Sequence, residues 1–275
     1  MIEIPEAFHI SHQISQHLAG KEVVASQAAA SPHKFAWYEG DPSAYPQLLN
    51  WKTLQSARPL GGMIEIQLDD ILIVLSEGAY PRLYEKDAPL PAKHQLLLQF
   101  DDGRSLVVAV RMYGGILAFP SGCGINKYYL MADLKTSPLS EIFDDNYFEN
   151  LSIDQNAQTM SAKAFLATEQ RIPGLGNGVL QDILYFAGIH PKTRIADLHQ
   201  QQRTKLFTSI KHTLKQMAQS GGRDTEVDLF GQPGAYQTRC SKLTVTKPCH
   251  LCGDLIQKAS YMGGSVYFCP TCQPL

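Results

Sequence analysis

Apolar residues at Ala7, Ile10, Ile14 and Leu18 recur at helical spacing. Pro5 suits a first helical turn, Glu6 suits the positive end of the helix dipole, and Gly20 suits the stop. This predicts an N-terminal helix. The pattern then turns β-rich over Met63–Leu68, Ile71–Leu75, Gln95–Phe100, Ser105–Val110 and Gly114–Phe119. Asp101-Asp102-Gly103 is a strong hairpin turn between two of these runs. No helical crossover separates the strands, so an antiparallel β-sandwich or barrel is expected. Asp133–Asn150 is acidic and reads as irregular. From Ser161 the pattern is helical, with a stripe at Leu206, Ile210, Leu214 and Met217 closed by Gly221-Gly222. A Gly-, Asp- and Pro-rich loop, Arg223–Tyr236, follows.

The 275 residues suit a multidomain α+β chain. The expected division is 1–137, helix plus sandwich; 138–150, linker; 151–238, helical domain; and 239–275, a terminal β-hairpin finger. No apolar run has the roughly 18 residues of a membrane span, and no signal peptide is evident, so a cytoplasmic location is expected. The net charge of −2 hides an asymmetry. Residues 1–150 carry 11 Lys+Arg and 18 Asp+Glu, a net of −7; residues 151–275 carry 13 and 8, a net of +5. A basic second half is suited to a polyanion.

Four of the six cysteines form two CxxC pairs, Cys249/Cys252 and Cys269/Cys272, separated by 16 residues. Two such knuckles can place four thiolates around one Zn²⁺, leaving no open position, so one structural zinc ion is expected. Gly263-Gly264, between possible strands Ala259–Met262 and Val266–Phe268, supplies a hairpin turn. Cys123 and Cys240 read as small core residues. His9, His12 and His17 do not share one helix face and read as solvated positions.

Residues 171–191, RIPGLGNGVLQDILYFAGIHP, place a tight turn (Pro173, Gly174, Gly176) before Asn177 and a helix, Val179–Ala187, that Gly188 ends. Such a turn can offer backbone N–H groups and the Asn177 side chain to a phosphate without reading sequence. It serves equally as an ordinary helix–turn–helix with a capping Asn.

This stretch resembles the helix–two-turns–helix of the formamidopyrimidine-DNA glycosylase / endonuclease VIII family. The opening Met1-Ile2-Glu3-Ile4-Pro5-Glu6 resembles the family's MPELPE. Asp228–Gly234 and the tail Pro248–Gln273 resemble the segment before the family's zinc finger and the finger itself. The resemblance implies a protein that binds damaged duplex DNA, excises a base and cuts at the abasic site. It implies a nucleophilic N-terminal amine, supplied by Met1 or Ile2, and Glu3 as the proton-transfer carboxylate. An α-amine ordinarily titrates at about 7.7–8.0, so part of it is nucleophilic near neutrality.

The resemblance further assigns phosphate binding to Asn177 beside Gly174 and Gly176, and filling of the void left by the extruded nucleotide to Arg111 and Tyr113. Departures are clear. Ile2 stands where the family has proline, and its bulk should hinder removal of Met1. A retained Met1 shifts the amine by about 3.8 Å. Asp69 falls near the place of a phosphate-binding lysine, Gly264 at that of the finger arginine, and Glu85 at the third void-filling position. These departures favour an alternative, a non-catalytic zinc-containing binder of damaged or branched DNA. If the amine is not the nucleophile, Lys34, beside the aromatic run Phe35-Ala36-Trp37-Tyr38, is the next candidate.

Overall fold

A computed structural model describes residues 1–275. Helix α1 (Ile4–Leu18) buries Ala7, Ile10, Ile14 and Leu18, as the spacing requires. Strands β1 (Val23–Ala28), β2 (Ala36–Tyr38), β3 (Leu54–Leu60), β4 (Met63–Leu68), β5 (Ile71–Tyr84), β6 (Leu96–Phe100) and β7 (Ser105–Pro120) form one sheet in the order β1-β6-β7-β5-β4-β3. All pairs are antiparallel except β2, which runs parallel to β7 through Ala36–Tyr38 against Gly114–Ile116. A short helix, α2 (Tyr45–Leu49), lies between β2 and β3.

Two long strands give the sheet its sandwich form. The first half of β5 pairs with the second half of β7, Ile71 with Pro120, and the second half of β5 with the first half of β7, Tyr84 with Ser105. Where the halves meet, the register slips between Glu77 and Ala79, opposite Arg111–Tyr113. Separate strands were expected at 105–110 and 114–119, and at 71–75. The structure joins them because a bulge, not a turn, separates the halves. Gly78 is obligatory here: a Cβ would lie 2.0 Å from the Arg111 carbonyl oxygen. Glu77 and Met112 both adopt positive φ at this corner. The two halves enclose a shared core that includes Ile66, Ile73, Leu98, Phe100 and Val108, closed by α1.

The second core is helical. It gathers α4 (Asp145–Ile153), α5 (Gln155–Thr159), α6 (Ala162–Ala167), α7 (Val179–Ala187) and α8 (Gln200–Gln219), preceded by α3 (Lys127–Leu134). The stripe Leu206, Ile210, Leu214 and Met217 is fully buried. Asp133–Asn150 is not irregular throughout. Asp144 caps α4 by accepting from Tyr147 N–H at 2.7 Å, and Phe143 and Phe148 are buried in this core. The aromatic residues outweigh the acidic composition of the segment.

The finger is β8 (Gln257–Tyr261) paired with β9 (Gly264–Phe268). Its turn is Met262-Gly263, both with positive φ, one residue earlier than Gly263-Gly264. That register keeps Val266 buried in the finger, whereas a one-residue slip would turn it outward. Cys240 is buried, but Cys123 is exposed in the loop after β7 and is not a core residue. No helix is long and apolar enough to cross a membrane.

Candidate active site

A cavity of about 500 Å³ lies where the sandwich meets the helical core. Met1, Ile2 and Glu3 line one wall, the Gly174–Gly176 turn another, and Trp37, Glu77 and Tyr113 a third. The chain start is fixed by backbone bonds: Ile2 N–H donates to Glu77 O at 2.8 Å, and Ile4 N–H to Gly174 O at 3.1 Å.

Glu3 spans the junction. Its carboxylate accepts from Gly178 N–H and Val179 N–H, both at 2.8 Å, at the start of α7. Two N–H groups expected to face a phosphate are therefore committed to this side chain. Gly176 and Gly178 allow that approach, since a Cβ on either would meet the Glu3 carboxyl at 2.9 Å or less. Gly174 packs against the β3–β4 turn, where a Cβ would lie 1.9 Å from Gly62 N. Gly174 and Gly176 thus act through close backbone packing as well as lining the cavity. The amides of Gly176 and Asn177 make no hydrogen bond within the chain and remain able to donate.

Behind Glu3 lies a buried charge network absent from the sequence reading. Arg223 is 2% exposed. It donates to Glu6 through Nε at 2.9 Å and Nη2 at 2.8 Å, and its Nη1 lies 3.6 Å from Glu3. Its Nη2 also donates to the Met1 carbonyl at 3.3 Å. Three residues on, Glu226 Oε1 lies 2.9 Å from the Met1 α-nitrogen, and Glu226 Oε2 accepts from the Tyr80 hydroxyl. Burial pushes the Glu3 carboxyl above the ordinary carboxylate range, against the opposing pull of Arg223 and the two amides. A carboxyl that keeps its proton to higher pH is suited to giving it to a leaving group. Burial also raises Glu77, which lines the cavity beside Tyr113.

The corner bulge presents Arg111, Met112 and Tyr113 outward. Arg111 lies over the Tyr80 ring at 4.8 Å, Tyr113 stacks with Trp37 at 6.3 Å, and Met112 is 79% exposed at the tip. Glu85 is not part of this corner. It follows Tyr84, which pairs with Ser105 at the far end of the ladder from Arg111. The carboxylate beside Tyr113 is Glu77. Asp69 is also remote from the cavity: it sits in the β4–β5 turn, accepting from Thr53 N–H and the Gln55 amide. No lysine or arginine lines the cavity, whose carboxylates are Glu3, Glu77 and Glu169.

Asn177 joins the turn to the finger. Its Nδ2 donates to Ser265 O at 3.0 Å, a carbonyl shared with Gln181 Nε2 at 3.1 Å, while Asn177 Oδ1 is buried without a partner. Gly264 faces this spot, and Lys163 Nζ, 3.4 Å from where its Cβ would stand, donates to Tyr261 O at 2.6 Å. Below, the four sulfurs of Cys249, Cys252, Cys269 and Cys272 lie within 4.8 Å of one another. A tetrahedral ZnS₄ site with bonds of about 2.3 Å needs sulfurs about 3.8 Å apart, so the set fits one ion. Asp182 of α7 ties the finger to the helices by accepting from Cys240 N–H at 2.7 Å and Arg239 N–H at 2.9 Å; its burial raises it to about 6.

No family model matches the chain. The formamidopyrimidine-DNA glycosylase of Cytobacillus firmus is 30% identical over 286 aligned positions, covering 99% of this chain and all of the relative. The chain belongs to the formamidopyrimidine-DNA glycosylase family. The Bacillus licheniformis glycosylase is 29% identical, with 99% of each chain covered. The Lactococcus lactis glycosylase, solved with DNA containing an oxidised pyrimidine, shares 25% identity with a TM-score of 0.84 over 99% of this chain and all of that one. Its complex with abasic-site DNA, 24% identical, has the same fold at a TM-score of 0.85.

Within this glycosylase frame, sequence reasoning missed Glu6, Glu77, Met112, Arg223 and Glu226. One signal was available: Arg223-Asp224-Thr225-Glu226 places opposite charges directly after the Gly221-Gly222 stop.

Proposed function

We propose that this protein is a DNA glycosylase/AP lyase that removes a damaged base from duplex DNA and cleaves the resulting abasic site. One observation carries the reading: the chain start, Glu3 and the Gly174–Gly176 turn meet at one cavity, in a chain of this family. The amine of the first residue is the nucleophile toward deoxyribose C1′, and Glu3 supplies the proton to the departing base. Glu3 is held for this by two amides and a buried arginine, which fix its direction before DNA arrives. The free amides of Gly176 and Asn177 grip a phosphate at the cavity edge, and Arg111, Met112 and Tyr113 fill the duplex where the nucleotide leaves. The four cysteines hold Zn²⁺, which supplies cross-linking of the hairpin and no chemistry at the cavity.

The test is strand cleavage of duplexes carrying single oxidised or ring-opened bases, read with and without alkali. Cleavage without alkali is expected. Tight binding of the same duplexes with no base loss would favour the alternative, a binder without chemistry.

A further inference from the structure

Beside the chain start, next to the cavity, stands one carboxylate that the reaction outlined above leaves unused. Glu226 Oε1 stands 2.9 Å from the Met1 α-nitrogen, and its other oxygen is fixed by the Tyr80 hydroxyl. Both partners of that bond are anchored. Met1 is held at its carbonyl by Arg223 and at the next amide by Glu77 O. Glu226 is held at its own amide, which donates to Arg223 O at 3.1 Å. In its ion pair with Glu226 the α-nitrogen is an ammonium, which has no lone pair for attack until a proton leaves. A nucleophile of this kind needs a base within hydrogen-bond reach. Of the carboxylates around the chain start, Glu3 is bound to Gly178 and Val179 and Glu6 to Arg223, and it is Glu226 that forms the ion pair with the nitrogen.

We propose that Glu226 is the proton acceptor for the α-amine of Met1, and that Arg223 is the positioning residue that holds Met1 against it. The inference rests on the glycosylase/lyase reading and on a chain that starts at Met1. On an abasic site the step balances as follows. The ammonium gives one proton to the Glu226 carboxylate. The neutral nitrogen attacks the aldehyde carbon, forming a C–N bond, and the aldehyde oxygen becomes a hydroxyl by taking a proton from nitrogen. Glu226 returns its proton to that hydroxyl, water leaves, and a protonated Schiff base remains. The carboxylate ends as it began. With Met1 as nucleophile, the amide that ties Ile2 to the sandwich stays intact, so the nitrogen swings on a fixed base.

The experiment uses the full chain, its intact mass recorded first, on duplexes with a preformed abasic site. Borohydride trapping is followed from slightly acid to alkaline pH for the wild type, Glu226→Gln, Glu226→Asp and Tyr80→Phe. The groups facing the amine and its base over that range are Glu226, Tyr80, Arg223, Glu3, Glu6, Glu77, Tyr113 and Arg111. Glu226→Gln keeps the shape and an acceptor but cannot take a proton. Its trapping rate is expected to fall by about 10²-fold or more at slightly acid pH and to recover toward wild type at alkaline pH, where hydroxide does the work. Glu226→Asp is expected to retain part of the rate and the wild-type pH profile, and Tyr80→Phe to lose less than Glu226→Gln. A wild-type-like thermal melt certifies each fold, and if Glu226→Gln is unfolded the Asp and Phe variants carry the test. Equal trapping by wild type and a folded Glu226→Gln would overturn the proposal while leaving the lyase reading intact. So would a deficit that does not change with pH, or a mass lacking Met1. No trapping by the wild type refutes both.

Discussion

Arg223→Met isolates the contribution of the buried network. The side chain is replaced by an apolar one of similar reach, so little volume is lost. What changes is charge: Glu3 and Glu6, both essentially buried, lose the cation within 3.6 Å and 2.8 Å of them. Glu3 keeps its two backbone donors, but Glu6 loses its two-point partner. Breaking a buried pair by removing one member costs about 3–5 kcal/mol, because the remaining charge is uncompensated. For a chain of this size each kcal/mol is worth roughly 2–4 °C, so the melting temperature should fall by about 6–20 °C. The loss should also depend on pH. Burial already holds the Glu3 carboxyl above the ordinary range against the pull of Arg223, so without Arg223 its folded-state pKa rises further above the unfolded value of about 4.3. The folded variant then binds more protons than the unfolded chain, so its stability falls as pH rises from that value through the folded one. The gap from wild type is therefore narrow near pH 4 and widest at neutrality. Urea melts of both proteins across that range provide the assay, and Glu6→Gln in the variant background should restore part of the loss. A loss below about 1 kcal/mol, or one constant with pH, would refute the account of the network.

Asn177→Ala removes the bond to Ser265 O that braces the proposed phosphate grip against the finger, while its backbone amides stay. Affinity for unrelated duplexes should fall by a similar factor, about 5-fold for roughly 1 kcal/mol, in fluorescence anisotropy, and a loss confined to one sequence would contradict the phosphate role. Metal analysis should find one zinc per chain, and Cys252→Ser should lower both zinc content and DNA affinity; a metal-free native protein with reduced thiols would exclude the site. Gly78→Ala drives a Cβ into the Arg111 carbonyl and should destabilise by about 1–3 kcal/mol while moving Arg111–Tyr113, measured by thermal melts. A wild-type melt would mean the bulge yields freely.

Much of the architecture was legible because it rests on local signals. The spacing of Ala7, Ile10, Ile14 and Leu18, the stripe on α8, and the two CxxC knuckles each report a periodicity or a fixed ligand spacing. What was not legible depends on which residues meet at long range. The bulge opposite Gly78 merges runs that look like separate strands, and it brings Glu77, not Glu85, to Tyr113. Arg223 and Glu226 read as solvated loop charges, since no pattern in a loop announces that it will fold back over the chain start 222 residues earlier. Asp133–Asn150 reads as irregular because its apolar members, Phe143 and Phe148, are spaced by a helix cap that Asp144 supplies rather than by a full helical repeat.

The central claim is that the chain start attacks the abasic sugar. The most direct measurement is borohydride trapping on abasic-site duplex followed by proteolysis and mass spectrometry of the cross-linked peptide. The account predicts a single adduct on the N-terminal peptide, at the α-nitrogen of Met1, abolished by acetylation of that nitrogen. An adduct on an internal lysine such as Lys34, or undiminished trapping by the acetylated protein, would contradict it.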